Sequence, residues 1–176
     1  RRFDLSETIA YRVLKVADIG ESSVDDLIGH LIAGSTNPTV GVLAHPGQVD
    51  VRIAAKAATT QEAMRLIGPT EDEVRALLGR HLFATDDETM EGIVGKLMDE
   101  HEVSVAVYED LTGGLVADRM NQASPERFLE STVANGPSSV RRLLASSRSP
   151  DSAETLLGDP ASLAKELAWS VRAMAG

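Results

Sequence analysis

Apolar residues recur along this chain at two spacings, and the switches between them mark its elements. Residues 9–16 (IAYRVLKV) are aliphatic and β-branched and predict a strand. From Glu21 to Ala33 the spacing changes. Val24, Leu27, Ile28, Leu31 and Ile32 recur at three- and four-residue intervals, predicting an amphipathic helix with one buried face. Thr39–Ala44 and Val49–Ala57 read as the strands of a hairpin closed by the turn signal His45-Pro46-Gly47. Two helical pieces follow, Thr60–Ile67 and Thr70–Leu82, separated at Gly68-Pro69. Thr70 with Glu73 forms a capping box that restarts the second piece. The order β-α-β-β-α predicts a small α+β sandwich with helices on one sheet face.

Phe83–Asp87 reads as a seam, after which the pattern starts afresh. Glu88–Glu100 predicts a helix with Ile93, Val94, Leu97 and Met98 inward. Val103–Gly114 (VSVAVYEDLTGG) begins with six uncharged positions, the mark of a fully buried strand of a parallel sheet. It breaks at Thr112-Gly113-Gly114 into a helix over Leu115–Gln122. A second strand is expected at Phe128–Ala134, and a flexible loop from Ala145 to Ser152. A last helix is expected from Pro160, with Asp159 as N-cap; Trp169 and Met174 are expected to pack against the sheet. The second half therefore predicts an α/β domain with a βαβ unit, and the two domains are set at 1–84 and 85–176.

Composition narrows the class. Aromatics are only 3% of the 176 residues, so the core must be aliphatic. No apolar run nears the ~20 residues of a membrane span, and Arg1-Arg2-Phe3-Asp4 leads into no signal-peptide core. The lack of an initiator Met fits a piece of a longer protein. The absence of cysteine excludes disulfides and thiolate metal sites and fits a cytoplasmic protein. A net charge of −10 argues against a grip on nucleic acid or anionic lipid.

The candidate chemistry gathers at the glycine turn. A strand feeding a turn and a helix N-terminus offers N–H groups to an anion or a carbonyl oxygen. Asp110 stands where a nucleophile belongs. Other motifs have simpler readings. Ser162-Leu-Ala-Lys165 matches a Ser-x-x-Lys pattern but lies in the first turn of a helix. Gly92-Ile-Val-Gly95 matches a backbone-clamping Gly-x-x-Gly loop but lies inside one. His30, His45, His81 and His101 lack metal-ligand spacing. Asp86-Asp87-Glu88 with Glu91 reads as the acidic first turn of a helix. No metal and no cofactor is expected.

Several stretches together resemble the competence/damage-inducible protein family CinA: Asp18-Ile-Gly-Glu-Ser22, Asn37-Pro-Thr39, Val51-Arg-Ile-Ala-Ala-Lys-Ala57, Leu78-Gly-Arg-His-Leu-Phe83 and Glu109-Asp-Leu-Thr-Gly-Gly114. The resemblance implies a KH-like middle domain at 1–84. At 85–176 it implies the first part of a C-terminal domain that deamidates nicotinamide mononucleotide. It further implies a homo-oligomer and, as a partner in the same protein, an N-terminal molybdopterin-binding-like domain. The family's amidase motif reads Glu-Ser-Cys-Thr-Gly-Gly, with a Tyr and a Lys about two dozen residues on. Glu109, Thr112, Gly113 and Gly114 match it and are the expected nucleotide- or phosphate-binding residues. Asp110 replaces the Ser, Leu111 the Cys, Asn135 the Tyr and Val140 the Lys. From Glu109 to Ala164 there is neither Tyr nor Lys. Ser131, Ser138 and Ser139 supply hydroxyls with no Lys to activate them. The expectation is a degenerate, non-catalytic amidase-type domain, a pseudoenzyme, acting in oligomer assembly and holding a nicotinamide nucleotide. The alternatives are a working nicotinamide-nucleotide amidohydrolase and a nucleic-acid-binding KH-like module.

Overall fold

A computed structural model describes residues 7–134, 136–146, 155, 156 and 158–174. The protein is mixed α/β and divides into two compact units, Arg1–Met90 and Glu91–Gly176. No helix among the described residues is long and apolar enough to cross a membrane.

The first unit runs β1 (Thr8–Val16), α1 (Glu21–Gly34), β2 (Thr39–His45), β3 (Gln48–Ala57), α2 (Thr60–Leu78), a 3-10 turn and β4 (Leu82–Thr85). Its four strands lie in the order β2-β3-β1-β4, every neighbour antiparallel. This is the split β-α-β arrangement of ferredoxin-like sandwiches. Leu14, Val51 and Ile53 from the sheet meet Val24 and Ile28 of α1 and Ile67 of α2, all with no exposed surface. Leu27, expected inward, is 39% exposed.

Two expectations are corrected here. The seam at Phe83–Asp87 is instead a fourth strand and the loop that secures it. Asp86 accepts the Val13 N–H at 2.9 Å and pairs with Arg12, while Glu88 accepts the Thr85 N–H at 3.0 Å. Asp86 and Glu88 therefore tie down an edge strand ahead of α3, and of the acidic group Glu91 alone stands in that helix's first turn as expected. Nor does α2 break at Gly68-Pro69. Ala63, Ile67, Val74 and Leu78 keep one continuous buried stripe through Pro69. The ring removes one N–H partner, for the carbonyl of exposed Arg65, where water can serve. Thr59, accepting the Glu62 N–H at 3.2 Å, caps the whole helix, so Thr70 restarts nothing.

The second unit runs α3 (Met90–Glu100), β5 (Val105–Glu109), α4 (Leu115–Ala123), β6 (Phe128–Val133), α5 (Pro137–Ser146) and α6 (Pro160–Met174). β5 and β6 pair in parallel, as a βαβ unit requires. Among the described residues they are the only strands of their sheet, and β5 is not the fully buried strand expected. Val105, Ala106, Val107 and Tyr108 are half-buried. Val140 and Leu144 of α5, Leu156, and Leu167 of α6 form this unit's aliphatic cluster, with Tyr108 packed against it. Leu97, expected inward, is 47% exposed. Trp169 is 57% exposed and carries Arg172 over its ring, so it does not pack on the sheet as expected. The side chain of Met174 lies outside the described residues.

Candidate functional site at the carboxyl edge of the parallel strands

In a parallel sheet the carboxyl ends of the strands face one edge, where ligands of α/β proteins are held. Here Glu109 pairs with Val133, and the Ala134 N–H donates to the Glu109 carbonyl at 2.9 Å. The turn at Gly113 (φ 65°) and Gly114 (φ 102°) needs left-handed backbone, which glycine adopts without strain. A Cβ at Gly114 would sit 3.5 Å from Val133, so this turn lies against the end of β6.

The N–H groups that open α4 already have an acceptor within the chain. Glu109 is 4% exposed. Its carboxylate accepts the N–H of Ala117 at 2.7 Å, Val116 at 3.0 Å and Gly114 at 3.2 Å, and the hydroxyl of Thr112. Burial pushes this carboxyl up. The hydrogen bonds from Thr112, Ala117, Val116 and Gly114 outweigh it and hold the group below its ordinary value. A negative side chain thus occupies the N-terminus of α4, the place expected to receive a ligand's oxygen. Of the expected nucleotide-binding residues, Glu109, Thr112 and Gly114 are joined to one another by these bonds. Gly113 shapes the turn between them.

The replaced positions fall apart from one another. Asp110 is exposed, and Leu111 beside it is 92% exposed. Val140 is 4% exposed within the aliphatic cluster. Asn135 lies outside the described residues. Ser131 and Ser138 are exposed. Ser162 bonds Asp159, whose carboxylate also accepts the Ala161 N–H at 3.2 Å. The Ser162 side chain, then the Ser162 and Ala161 N–H groups, hold Asp159 below its ordinary value. Asp159 is therefore the expected N-cap, and Ser162 serves that cap rather than a nucleophile's place. His30 faces Glu73 at 3.3 Å and His45 faces Asp50 at 3.2 Å. No group of potential metal ligands is found among the described residues.

Two contributors escaped the sequence reading. A cavity of about 260 Å³ opens at this edge, lined by Thr132, Val133, Ala134, Ser139, Arg142 and Leu143. Its hydroxyls and guanidinium suit an anion, and Arg142 can grip a phosphate with two parallel N–H groups. Tyr108 sends its hydroxyl to the Ala134 carbonyl at 3.4 Å. Burial, and then the charge of Asp110, push this phenol up. It stays protonated at neutral pH and is no base. The signal for Arg142 was the pair Arg141-Arg142 directly after the uncharged run Ser131 to Val140.

A family model described as the damage-inducible protein CinA KH domain matches residues 11–84. A competence-damage inducible protein of Clostridium tetani is 42% identical over 109 residues, covering 62% of this chain and 27% of its own. Its counterpart in Thermoanaerobacter pseudethanolicus is 34% identical over 181 residues, covering 97% of this chain and 41% of its own. That of Caldanaerobacter subterraneus is 36% identical over 181 residues, with the same coverage. The chain thus spans 41% of the length of each of these last two relatives, which match nearly all of it.

Proposed function

The chain belongs to the CinA family of competence/damage-inducible proteins, and we propose that its second unit is an amidase-type module that has lost hydrolysis. In this reading it serves assembly within a homo-oligomer and holds a nicotinamide-nucleotide-like anion at the carboxyl edge of β5 and β6. Its further partner is the molybdopterin-binding-like domain that the family resemblance implies.

The observation that carries this reading is Val140. The resemblance assigns this position to the amine that deprotonates the nucleophile, and the side chain here is packed among Leu144, Leu156 and Leu167. Amide hydrolysis needs an activated nucleophile and donors for the developing oxyanion. The donors of the α4 N-terminus face the Glu109 carboxylate, but the motif carries this Glu as well, so the loss rests on the replaced Ser and Lys positions. Asp110, in the Ser position, could attack only as a carboxylate, and neither the Tyr nor the Lys of the motif is there to complete turnover. Incubated with nicotinamide mononucleotide, the purified chain is expected to form no nicotinate mononucleotide above the blank. Turnover that disappears in Asp110→Ala overturns the reading and makes the chain a working amidohydrolase.

Ligand holding is tested separately. Nicotinamide mononucleotide or ADP-ribose, at about a hundredfold excess over its dissociation constant, is expected to stabilise the second unit by ~3 kcal/mol. Arg142→Ala is expected to weaken that binding at least about tenfold, the cost of one charged partner. Thermal unfolding reads the first and titration calorimetry the second, and equal affinity in the variant removes the cavity from the proposal. The KH description of the matching family model favours a second reading, nucleic-acid binding by residues 11–84. Against it, the Gly92-x-x-Gly95 sequence lies in α3, outside that match.

A further inference from the structure

We infer that β2 is a pairing edge for a second copy of this chain, joining two first-unit sheets antiparallel about Val42 into one continuous sheet. β2 is the outermost strand beside β3. His45 opposes Gln48 across the two-residue turn Pro46-Gly47. Such a turn closes on a hydrogen-bonded pair, and bonded pairs then alternate along the hairpin. Thr39, Gly41, Leu43 and His45 therefore direct their backbone groups toward β3. Val40, Val42 and Ala44 direct theirs outward, where no strand meets them among the described residues.

Exposed edges of this kind are ordinarily protected by charge, proline, shortness or a bulge. The opposite edge, β4, is four residues long and carries Asp86 and Glu88 in the loop that follows. β2 has seven residues, an unbroken register with β3 and no charged side chain. Residues 27–49, which contain it, form the longest segment of the chain without Asp, Glu, Lys or Arg. In a chain of net charge −10, two copies approach here with no like-charged side chains facing each other.

The side chains select the occupant and the register. With Val42 on the two-fold axis, Val40 of one copy pairs with Ala44 of the other, and Ala44 with Val40. All three outward residues are then used, giving about six backbone hydrogen bonds. The same register sets Leu43 opposite Gly41 of the second copy, on the sheet face away from the helices. Leu43 is 60% exposed, and a Cβ at Gly41 would meet nothing within 4 Å. An exposed leucine and a bare stretch of backbone two residues away are self-complementary only in this two-fold pairing. The interface is small, so the dimer is weak and exchanges on dilution.

The inference gives the homo-oligomer proposed above a surface, and the deamidation assay is blind to it, so the two can fail separately. Sedimentation of the whole chain from about 1 to 300 µM is expected to show a monomer passing into a dimer. Ala44→Pro removes an outward N–H that β3 does not use and adds a ring at the edge. It is expected to weaken the dimer at least about tenfold with an unchanged circular dichroism spectrum. Gly41→Glu, filling the notch for Leu43 with a charge, is expected to do the same and decides the matter if the proline variant misfolds. A chain monomeric throughout, or a dimer that neither variant weakens, overturns the inference.

Discussion

Glu109→Ala is expected to lower the melting temperature of the second unit by about 10 °C or more, the shift that loss of a buried hydrogen-bond network produces in a domain this small. One carboxylate joins the end of β5 to the turn and to the first residues of α4. Removing it leaves the helix N-terminus without its acceptor and its favourable charge. Trp169, the chain's one tryptophan, lies on α6 and reports this unit by fluorescence. Glu109→Gln, which keeps the shape but turns donors toward donors, should fall between parent and alanine variant.

The same carboxyl sets an acid limit. Its value is lowered in the folded protein, so the unfolded chain takes up the proton first as pH falls. The stability it contributes is fully present above the ordinary glutamate value of 4.5 and is lost as pH drops through the lower folded value. The parent's acid transition, followed by Trp169, should therefore lose its steepest part in Glu109→Gln. A variant that melts and titrates like the parent would show that the turn is held by its glycines alone.

Much of the first unit was legible because its cues are local. The hairpin rests on Pro46-Gly47 between two apolar runs, and β1, β3 and α1 on unbroken periodicity. What escaped depends on partners distant in sequence. β4 has four residues and becomes a strand because Asp86, far along the chain, takes the Val13 N–H. α2 stays continuous through Pro69 because one stripe of side chains must reach one core. α5 was missed because its cue, Val140 and Leu144 one turn apart, is too short to stand out. At the site the sequence named the right turn and the wrong direction of bonding. Glu109 was read as lining a ligand cradle, while its carboxylate occupies the cradle. Arg142 enters the cavity only through the packing of α5 beside β6, which no motif encodes.

Gly95 carries the other large expected effect, and it opposes the ordinary rule. Glycine inside an α-helix costs about 1 kcal/mol relative to alanine, so Gly→Ala there usually stabilises. At Gly95 a Cβ would lie 2.6 Å from the Ala123 carbonyl oxygen and 3.0 Å from its carbon. Both are backbone atoms at the end of α4, and no rotamer change relieves the clash. α3 and α4 must part, straining the Glu91–Arg119 pair at 2.7 Å and the Asp99 bonds to Ser124 and Arg127 at 3.2 and 3.3 Å. Overpacking of this kind costs about 1–3 kcal/mol and exceeds the helical gain. Gly95→Ala should therefore lower the second unit's melting temperature by about 5–10 °C. Gly29→Ala in α1, whose Cβ would meet only Asp25 at 3.9 Å, should raise that of the first unit. A Gly95→Ala chain that melts at or above the parent would mean the two helices stand further apart than their backbones place them, and would return Gly92-x-x-Gly95 to consideration as a loop motif.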